Sequence, residues 1–579
     1  MDNGMLMTPE LLKRTSAFLI TTLCLALIVA LYLPGIDTIW LYHEETRRAL
    51  VAREMMENAT WLTPTINQQA YWAKPPLFNW SIILSSIFTD GQITELTARL
   101  PSLLSTLALT ILLWLFTRQY FHYRLQVWLL LMVLFTPELT RKATSAELDT
   151  VFTVLVNLSL FSWFYFWQKQ QSKRAWIVSM MLIGLAYLCK REAALLCYFL
   201  TILGFLVYSK QWRSINKAEF FTALFIPLLC AAIWWLPMLI QFGLNASIEL
   251  NQAEVAARQH QGNNVNYLTS VFSYPFMVAV ALLPASLLLP LLFIQTYRQY
   301  LQTHYGHLYY FCLIATFSNL VPIMLIGDSN VRYFLPMFIP ALLLATMLLD
   351  AGQTIELKSQ QEKRDWARIY LKGLSRTIPL IFYSAIIIGC AVLVTMAGVS
   401  TQSNLGLIAV SVIVMFLLIR KTRQRLLPNT IEQAKSFAIF SMVLVICIRL
   451  VDISYSLPYR QQSLEKYRNI EAMLIQINQI RNDMEWRSKT SGIEQRISIY
   501  GDHKLSHGLY FYDETHLITA VNCTTFENKN PALWLFIESK DVQLAISADD
   551  TLLAQFPYTK KYRLHLIATT KPSQYCQTK

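Results

Sequence analysis

Four short stretches of this sequence place acids beside bases. The first reads Tyr42-His43-Glu44-Glu45-Thr46-Arg47-Arg48, and its polar segment closes on Tyr71-Trp72-Ala73-Lys74-Pro75-Pro76. The second, from Pro137 to Asp149, holds Glu138, Arg141, Lys142, Glu147 and Asp149. The third is Lys190-Arg191-Glu192, set between two apolar runs, and the fourth, Gly327 to Tyr333, adds Arg332. Each has a plain structural reading. Glu44 and Arg47 are spaced as an ordinary pair on a helix surface, Asp149 could cap the apolar helix it precedes, and Lys190, Arg191 and Glu192 could pair among themselves. Read together, the carboxylates of Glu44, Glu45 and Asp149 with the cations Arg47, Lys74, Lys190 and Arg332 suit a reaction in which a phosphate on a membrane lipid is held and its developing charge stabilised. The sequence has no phosphate-binding glycine loop, dinucleotide fingerprint or Ser-His-Asp arrangement, and no Cys/His spacing of the zinc kind. No metal ligands are assigned; a need for a divalent cation stays open.

The elements that must position these groups follow from composition. Hydrophobic residues make up 54% of the 579 residues and charged ones 15%, against about a quarter charged in soluble domains. That excludes a disordered chain, a collagen-like fibre and a small disulfide scaffold. The net charge of +13 suits a membrane protein oriented beside anionic headgroups, with no need for nucleic acid. Seven cysteines (Cys24, Cys189, Cys197, Cys230, Cys312, Cys390 and Cys447) lie inside apolar runs, where they act as small hydrophobes. Lys13 and Arg14 precede the apolar run 17–33, which ends in Tyr-Leu-Pro-Gly and reads as an uncleaved first helix.

Runs long enough to cross a bilayer fall near 17–33, 99–117, 125–137, 149–167, 175–189, 193–208, 219–240, 274–294, 308–326, 333–349, 376–397, 404–419 and 433–451, which predicts thirteen spans. The segment Leu77 to Phe88 is short and follows two prolines, so it reads as an interfacial or re-entrant helix. With the N-terminus cytoplasmic, this count puts Arg118, Arg124, Lys169, Lys173, Arg174, Lys210, Arg213 and the cluster Lys358–Lys372 inside, as the positive-inside rule requires. The expected architecture is an all-α polytopic membrane domain over 1–451, with outer loops at 34–98 and 137–149, followed by a small outer-side α/β domain over 452–579. In that tail Leu464, Tyr467, Ile470, Leu474, Ile477 and Ile480 recur at helical spacing. The apolar runs Arg496–Tyr500, His516–Val521, Ala532–Ile537 and Tyr562–Ile567 read as strands. Cys523 and Cys576 could pair in an oxidising compartment.

The sequence resembles the bacterial lipid A 4-amino-4-deoxy-L-arabinose transferases and the related protein O-mannosyltransferases, membrane glycosyltransferases of the GT-C fold. The resemblance rests on Glu44-Glu45-Thr46-Arg47, Ala52-Arg53-Glu54-Met55, Trp61-Leu62-Thr63-Pro64, Tyr71-x-x-Lys74-Pro75-Pro76-Leu77 and Ala98-Arg99-Leu100-Pro101-Ser102. It continues through Ser145-Ala146-Glu147-Leu148-Asp149-Thr150, Gly184-Leu185-Ala186-x-Leu188-x-Lys190 and Arg332-Tyr333-x-Leu335-Pro336. It implies a sugar donor carried on undecaprenyl or dolichyl phosphate, and inverting transfer to lipid A or another cell-envelope glycolipid on the periplasmic face of the bacterial inner membrane. By position, Glu44 takes the place of the family's catalytic aspartate, one methylene longer, and Asp149 is the second-loop acid. Arg47, Lys74 and Lys190 would bind donor phosphate or acceptor, with Glu45, Tyr71, Arg332 and Tyr333 beside them. Two readings stay open next to this one: an enzyme acting on protein, as the mannosyltransferases do, and a lipid-phosphate transporter or flippase that uses the same cations to carry a headgroup.

Overall fold

A computed structural model of the chain describes residues 44–66, 69–245, 264–325, 330–358 and five strands between 497 and 569, with isolated positions at 32–33, 36–37, 41, 248, 370, 476 and 479. The described residues form two compact units. One comprises Ser102–Trp235 with the described parts of 1–36 and 248–456; the other comprises the described parts of 37–101, 236–247 and 457–579.

In the first unit, α4 (Tyr123–Leu134), α5 (Pro137–Ala143), α6 (Asp149–Gln168), α7 (Ser172–Lys190), α8 (Glu192–Tyr208) and α9 (Ala218–Phe242, divided between the units after Trp235) follow one another with short connections. They are followed by α10 (Asn264–Ala281), α11 (Gln295–Tyr305), α12 (His307–Leu325) and α13 (Leu335–Lys358). The second unit holds α1 (Glu44–Glu57) and α2 (Leu77–Ser85), and α3 (Glu95–Thr117) passes from one unit into the other at Pro101. Six described helices are long and apolar enough to cross a membrane: α3, α6, α7, α9, α12 and the stretch Val331–Gly352 that includes most of α13. The chain is an integral membrane protein.

The short α6–α7 connection makes these helices antiparallel neighbours. Ser159 of α6 donates to the carbonyl of Ser179 in α7 at 2.8 Å, and the Ser179 hydroxyl meets that of Tyr198 in α8 at 2.6 Å. Pro340 inside α13 has no N–H, so the carbonyl of Pro336 loses its helical donor. Asn157 of α6 supplies one instead, its Nδ2 lying 2.9 Å from that oxygen. This bond ties the start of α13, which carries Arg332 and Tyr333 just ahead of it, to the helix that Asp149 opens.

Two expected spans differ. The apolar run 274–294 is broken: Thr269–Ala281 and the short 3-10 segments over Ala285–Phe293 meet at 110°. Pro284 and Pro290 remove the N–H groups that a continuous helix needs there. The expected span 125–137 stops at Leu134, because Thr136 is extended ahead of Pro137, and α5 starts anew from that proline. The expected second outer loop therefore contains a helix. Leu77–Phe88 is a short apolar helix with a 3-10 extension, and the expected spans 125–137 and 193–208 map to helices of 12 and 17 residues. The expected spans 376–397, 404–419 and 433–451, nearly all of 17–33, and Cys523 and Cys576 lie outside the described residues.

In the second unit, Val51 and Met55 of α1 and Tyr71 form a small core, against which Ile66, Ala73, Trp80 and Ile83 pack. A two-residue ladder, β1 (Thr65–Ile66) with β2 (Gln69–Ala70), turns the chain between α1 and α2. The five later strands are β3 (Ile497–Tyr500), β4 (Ile518–Ala520), β5 (Ala532–Ser539), β6 (Thr551–Pro557) and β7 (Tyr562–Thr569), in the order β4-β3-β5-β7-β6. β3 runs parallel to β4 and β5, whereas β7 is antiparallel to β5 and β6. Leu566 and Ile567, which point to opposite faces, are both buried, so β7 is covered on both sides. Four strands coincide with the expected runs. The fifth, β6, was not expected; Pro557 at its end is compatible with its place at the sheet edge. The expected helix around 464–480 lies outside the described residues apart from two positions.

Candidate active site

Lys142, Asp149 and Lys190 converge in the first unit because of where their helices begin and end. α5 opens on Pro137 with Glu138 in its first turn and closes with Arg141 and Lys142 in its last, each matching the helix dipole. The chain returns through Thr144–Leu148 and starts α6 at Asp149, while its hairpin partner α7 ends at Lys190. An acid at a helix N-terminus thus faces a cation at a helix C-terminus, the arrangement both dipoles favour.

Lys190 Nζ donates to Asp149 Oδ1 at 2.6 Å, and Lys142 Nζ lies 3.7 Å from Asp149 Oδ2. Lys142 also pairs with Glu147, whose Oε2 accepts from Arg332 Nη1 at 3.2 Å. The side chain of Asn330 accepts from the backbone N–H of Arg332 at 3.1 Å and fixes the turn that presents it. Lys190 Nζ sits 5.1 and 5.2 Å from the ring centroids of Phe152 and Tyr333, and the Arg332 guanidinium lies 5.7 Å from Tyr333. These are cation–π distances. Lys142, Asp149 and Lys190 are buried. Three cations (Lys142, Lys190, Arg332) meet two carboxylates (Glu147, Asp149) in this network. The excess positive charge in a water-poor setting is suited to an anion with several oxygens.

The second unit holds the first-loop residues. Glu44 Oε1 pairs with Arg47 Nη1 at 3.2 Å, and Glu44 Oε2 lies 3.4 Å from Arg48 Nη2. Arg48 is buried, donates to the Tyr71 hydroxyl at 2.8 Å and lies 5.6 Å from that ring. Both oxygens of Glu45 accept from Arg99, each at 2.9 Å. This bidentate pair ties α1 to the first turns of α3, so Glu45 is engaged by the fold itself. Lys74 is half-buried just before Pro75 and α2.

Sequence reasoning identified Asp149, Lys190, Arg332 and Tyr333, which the structure brings together in one unit. It placed Glu44, Glu45, Arg47, Tyr71 and Lys74 in one loop, and all five fall in the other unit. It missed the roles of Lys142 and Glu147, read only as loop charges, and of Arg99, the partner of Glu45. Among the described residues no group of three or more His, Cys, Asp or Glu could hold a metal ion. Glu147 and Asp149 are committed to lysines, so this donor set does not fit a divalent cation.

Comparison with solved structures is decisive for the fold. ArnT from Cupriavidus metallidurans in the apo state superposes with a TM-score of 0.65 over 97% of this chain and 100% of that one, at 16% identity. The chain has the ArnT fold. ArnT bound to undecaprenyl phosphate superposes with a TM-score of 0.62 over 95% and 97% of the two chains, at 17% identity. The sequence profile of the dolichyl-phosphate-mannose-protein mannosyltransferase family matches residues 73–235, from Ala73 before α2 into α9. An undecaprenyl phosphate-alpha-4-amino-4-deoxy-L-arabinose arabinosyl transferase of Pseudomonas fluorescens (strain Pf0-1) is 27% identical over 193 residues, 32% of this chain and 35% of that protein. The chain thus spans about a third of the length of the first curated relatives it matches.

Proposed function

We propose that this protein is an inverting glycosyltransferase that moves a sugar from a polyprenyl-phosphate donor to lipid A or a similar cell-envelope glycolipid. The observation that carries the reading is the Lys142–Asp149–Lys190–Glu147–Arg332 network, whose net positive charge rests on two buried lysines and a half-buried arginine beside aromatic rings. The ArnT fold, with a neighbour bound to undecaprenyl phosphate, supports the same donor class.

In the reaction the acceptor oxygen attacks the anomeric carbon from the face opposite the phosphate. The bond from that carbon to the phosphate oxygen breaks, and its electron pair leaves with the polyprenyl phosphate. The departing dianion needs charge stabilisation more than a proton, and preorganised cations such as Lys190 and Arg332 supply it without reorganisation. Asp149, held between two lysines, orients their ammonium groups. If the acceptor is a hydroxyl, Glu44 takes its proton, a contribution on the order of 10²–10⁴ in rate. If the acceptor is a phosphate, it is already nucleophilic and Glu44 positions it.

The reading includes thirteen spans, a cytoplasmic N-terminus, the domain division at 451/452, a periplasmic α/β domain and residence in the bacterial inner membrane. Purified protein in lipid, given an undecaprenyl-phosphate sugar and outer-membrane lipids, should form a glycolipid with inverted anomeric configuration and lose that activity in Lys190→Met. Retained configuration, or activity indifferent to Lys190→Met, would overturn the assignment. The mannosyltransferase profile match favours one second reading, transfer to a protein hydroxyl, which the same assay tests with a peptide acceptor.

A further inference from the structure

Arg191 is the single residue between α7 and α8, and its backbone sits at φ 54°, ψ −138°. That conformation is nearly a glycine preserve, because a Cβ crowds the neighbouring carbonyl there. The turn nonetheless carries an arginine. Its guanidinium lies 5.3 Å from the ring centroid of Trp235 and 5.8 Å from that of Trp234, both near the end of α9. Trp235 is anchored in turn, its indole N–H donating to the Tyr187 hydroxyl of α7 at 3.0 Å. Arg191 Nε also pairs with Glu192 at 3.2 Å, and the backbone N–H of Arg191 donates to the Tyr187 carbonyl at 2.8 Å.

The residue just before this strained turn is Lys190, whose ammonium meets Asp149 at 2.6 Å and lies over Tyr333. Because only one residue separates the two helices, any rotation at Arg191 moves the last turn of α7 and the Lys190 stem with it. A strained backbone persists only where its surroundings over-determine it. Here those surroundings are the stack on Trp235 and the Trp235–Tyr187 bond, which return to the same helix that bears Lys190.

We propose that Arg191 is a positioning residue: stacked on Trp235, it holds the α7–α8 turn in its left-handed conformation and so fixes the place of the Lys190 ammonium. The consequence for substrate rests on the donor-phosphate reading given above; the positional claim does not. Glycine at 191 would relax the backbone yet release the turn, so stability and positioning should separate, which a merely structural role would not produce.

The experiment uses the full chain in lipid nanodiscs with Arg191→Gly, Arg191→Lys, Trp235→Leu, Trp235→Phe and the double variant Arg191→Gly/Trp235→Leu. Two quantities are read beside the melting temperature: the rate at which an amine-reactive reagent modifies Lys190, by mass spectrometry, and the affinity for undecaprenyl phosphate. Arg191→Gly and Trp235→Leu should each speed Lys190 modification and weaken undecaprenyl phosphate on the order of tenfold, the scale of one lost contact. Arg191→Gly should do so without a lower melting temperature. Arg191→Lys and Trp235→Phe should restore part of both, and the double variant should be no worse than the more affected single one. Unchanged Lys190 reactivity in Arg191→Gly, or full additivity in the double variant, overturns the proposal. Should the unaltered protein and Lys190→Met bind undecaprenyl phosphate equally, the donor reading fails, while the modification rates still decide the role of Arg191.

Discussion

The ammonium of Lys190 and the carboxylate of Asp149 meet at 2.6 Å across the open end of the α6–α7 hairpin, both buried. Removing one member of such a pair leaves the other charged and sealed from water, at a cost of about 3–5 kcal/mol, although replacing both by apolar groups can be nearly neutral. Lys142 beside Asp149 makes the losses unequal. We expect Lys190→Met to lower the melting temperature less than Asp149→Leu, because Asp149 keeps Lys142 beside it in the first variant, whereas Lys190 loses its carboxylate in the second while Lys142 keeps Glu147. The double variant should regain part of the stability of Asp149→Leu and none of its activity. Thermal unfolding and transferase assays on the same preparations check this.

Glu44 offers a separate test of the acceptor. With a hydroxyl acceptor, Glu44→Gln should lower kcat on the order of 10²-fold or more with little change in donor KM; with a phosphate acceptor the loss should be under about tenfold. Steady-state kinetics with the two acceptor classes distinguish these outcomes. Glu44→Asp, which draws the carboxylate back by one methylene, should alter kcat more than KM in either case.

Asn157 lies two turns below Asp149 and supplies the donor that Pro340 denies the Pro336 carbonyl. Asn157→Leu leaves that buried oxygen without its side-chain donor, and should cost about 1–3 kcal/mol. Because the bond also holds the start of α13 against α6, donor KM should rise as well. Melting temperature and KM measured together test both halves.

Gly184 marks a close approach of α7 to α9. A Cβ there would lie 2.8 Å from Cys230 Sγ and 3.3 Å from the Pro227 Cα. Gly184→Ala should therefore destabilise by about 1–3 kcal/mol through overpacking. Adding Cys230→Ala removes the sulfur but not the proline backbone, so it should restore only part of the loss in a thermal-unfolding assay.

What the sequence makes legible follows the range of each interaction. Glu44 with Arg47 is a local pair at helix spacing, and the structure keeps it at 3.2 Å. The tight turn at Lys190-Arg191-Glu192 was evident from three ionisable residues between apolar runs. Glu45 with Arg99 was not, because they lie 54 positions apart and each belongs to its own motif. Lys142 passed for a loop charge because nothing local shows that α5 turns it inward. Hydropathy alone runs straight through 274–294, and Pro284 and Pro290 were the signals of the break. β6 escaped notice because Thr551–Pro557 offers a short apolar run that ends in proline.

The placement of Asp149 on an opening helix turn and Lys190 on a closing one gives their pair a polarity. An exchanged variant, Asp149→Lys with Lys190→Asp, would conserve the total charge and the number of possible contacts, yet set each ion against the field of its own helix and bring the new lysine beside Lys142. The two ends of this hairpin are therefore not interchangeable. A lineage that lost this pair by one substitution could not recover it simply by mirroring the change on the opposite helix.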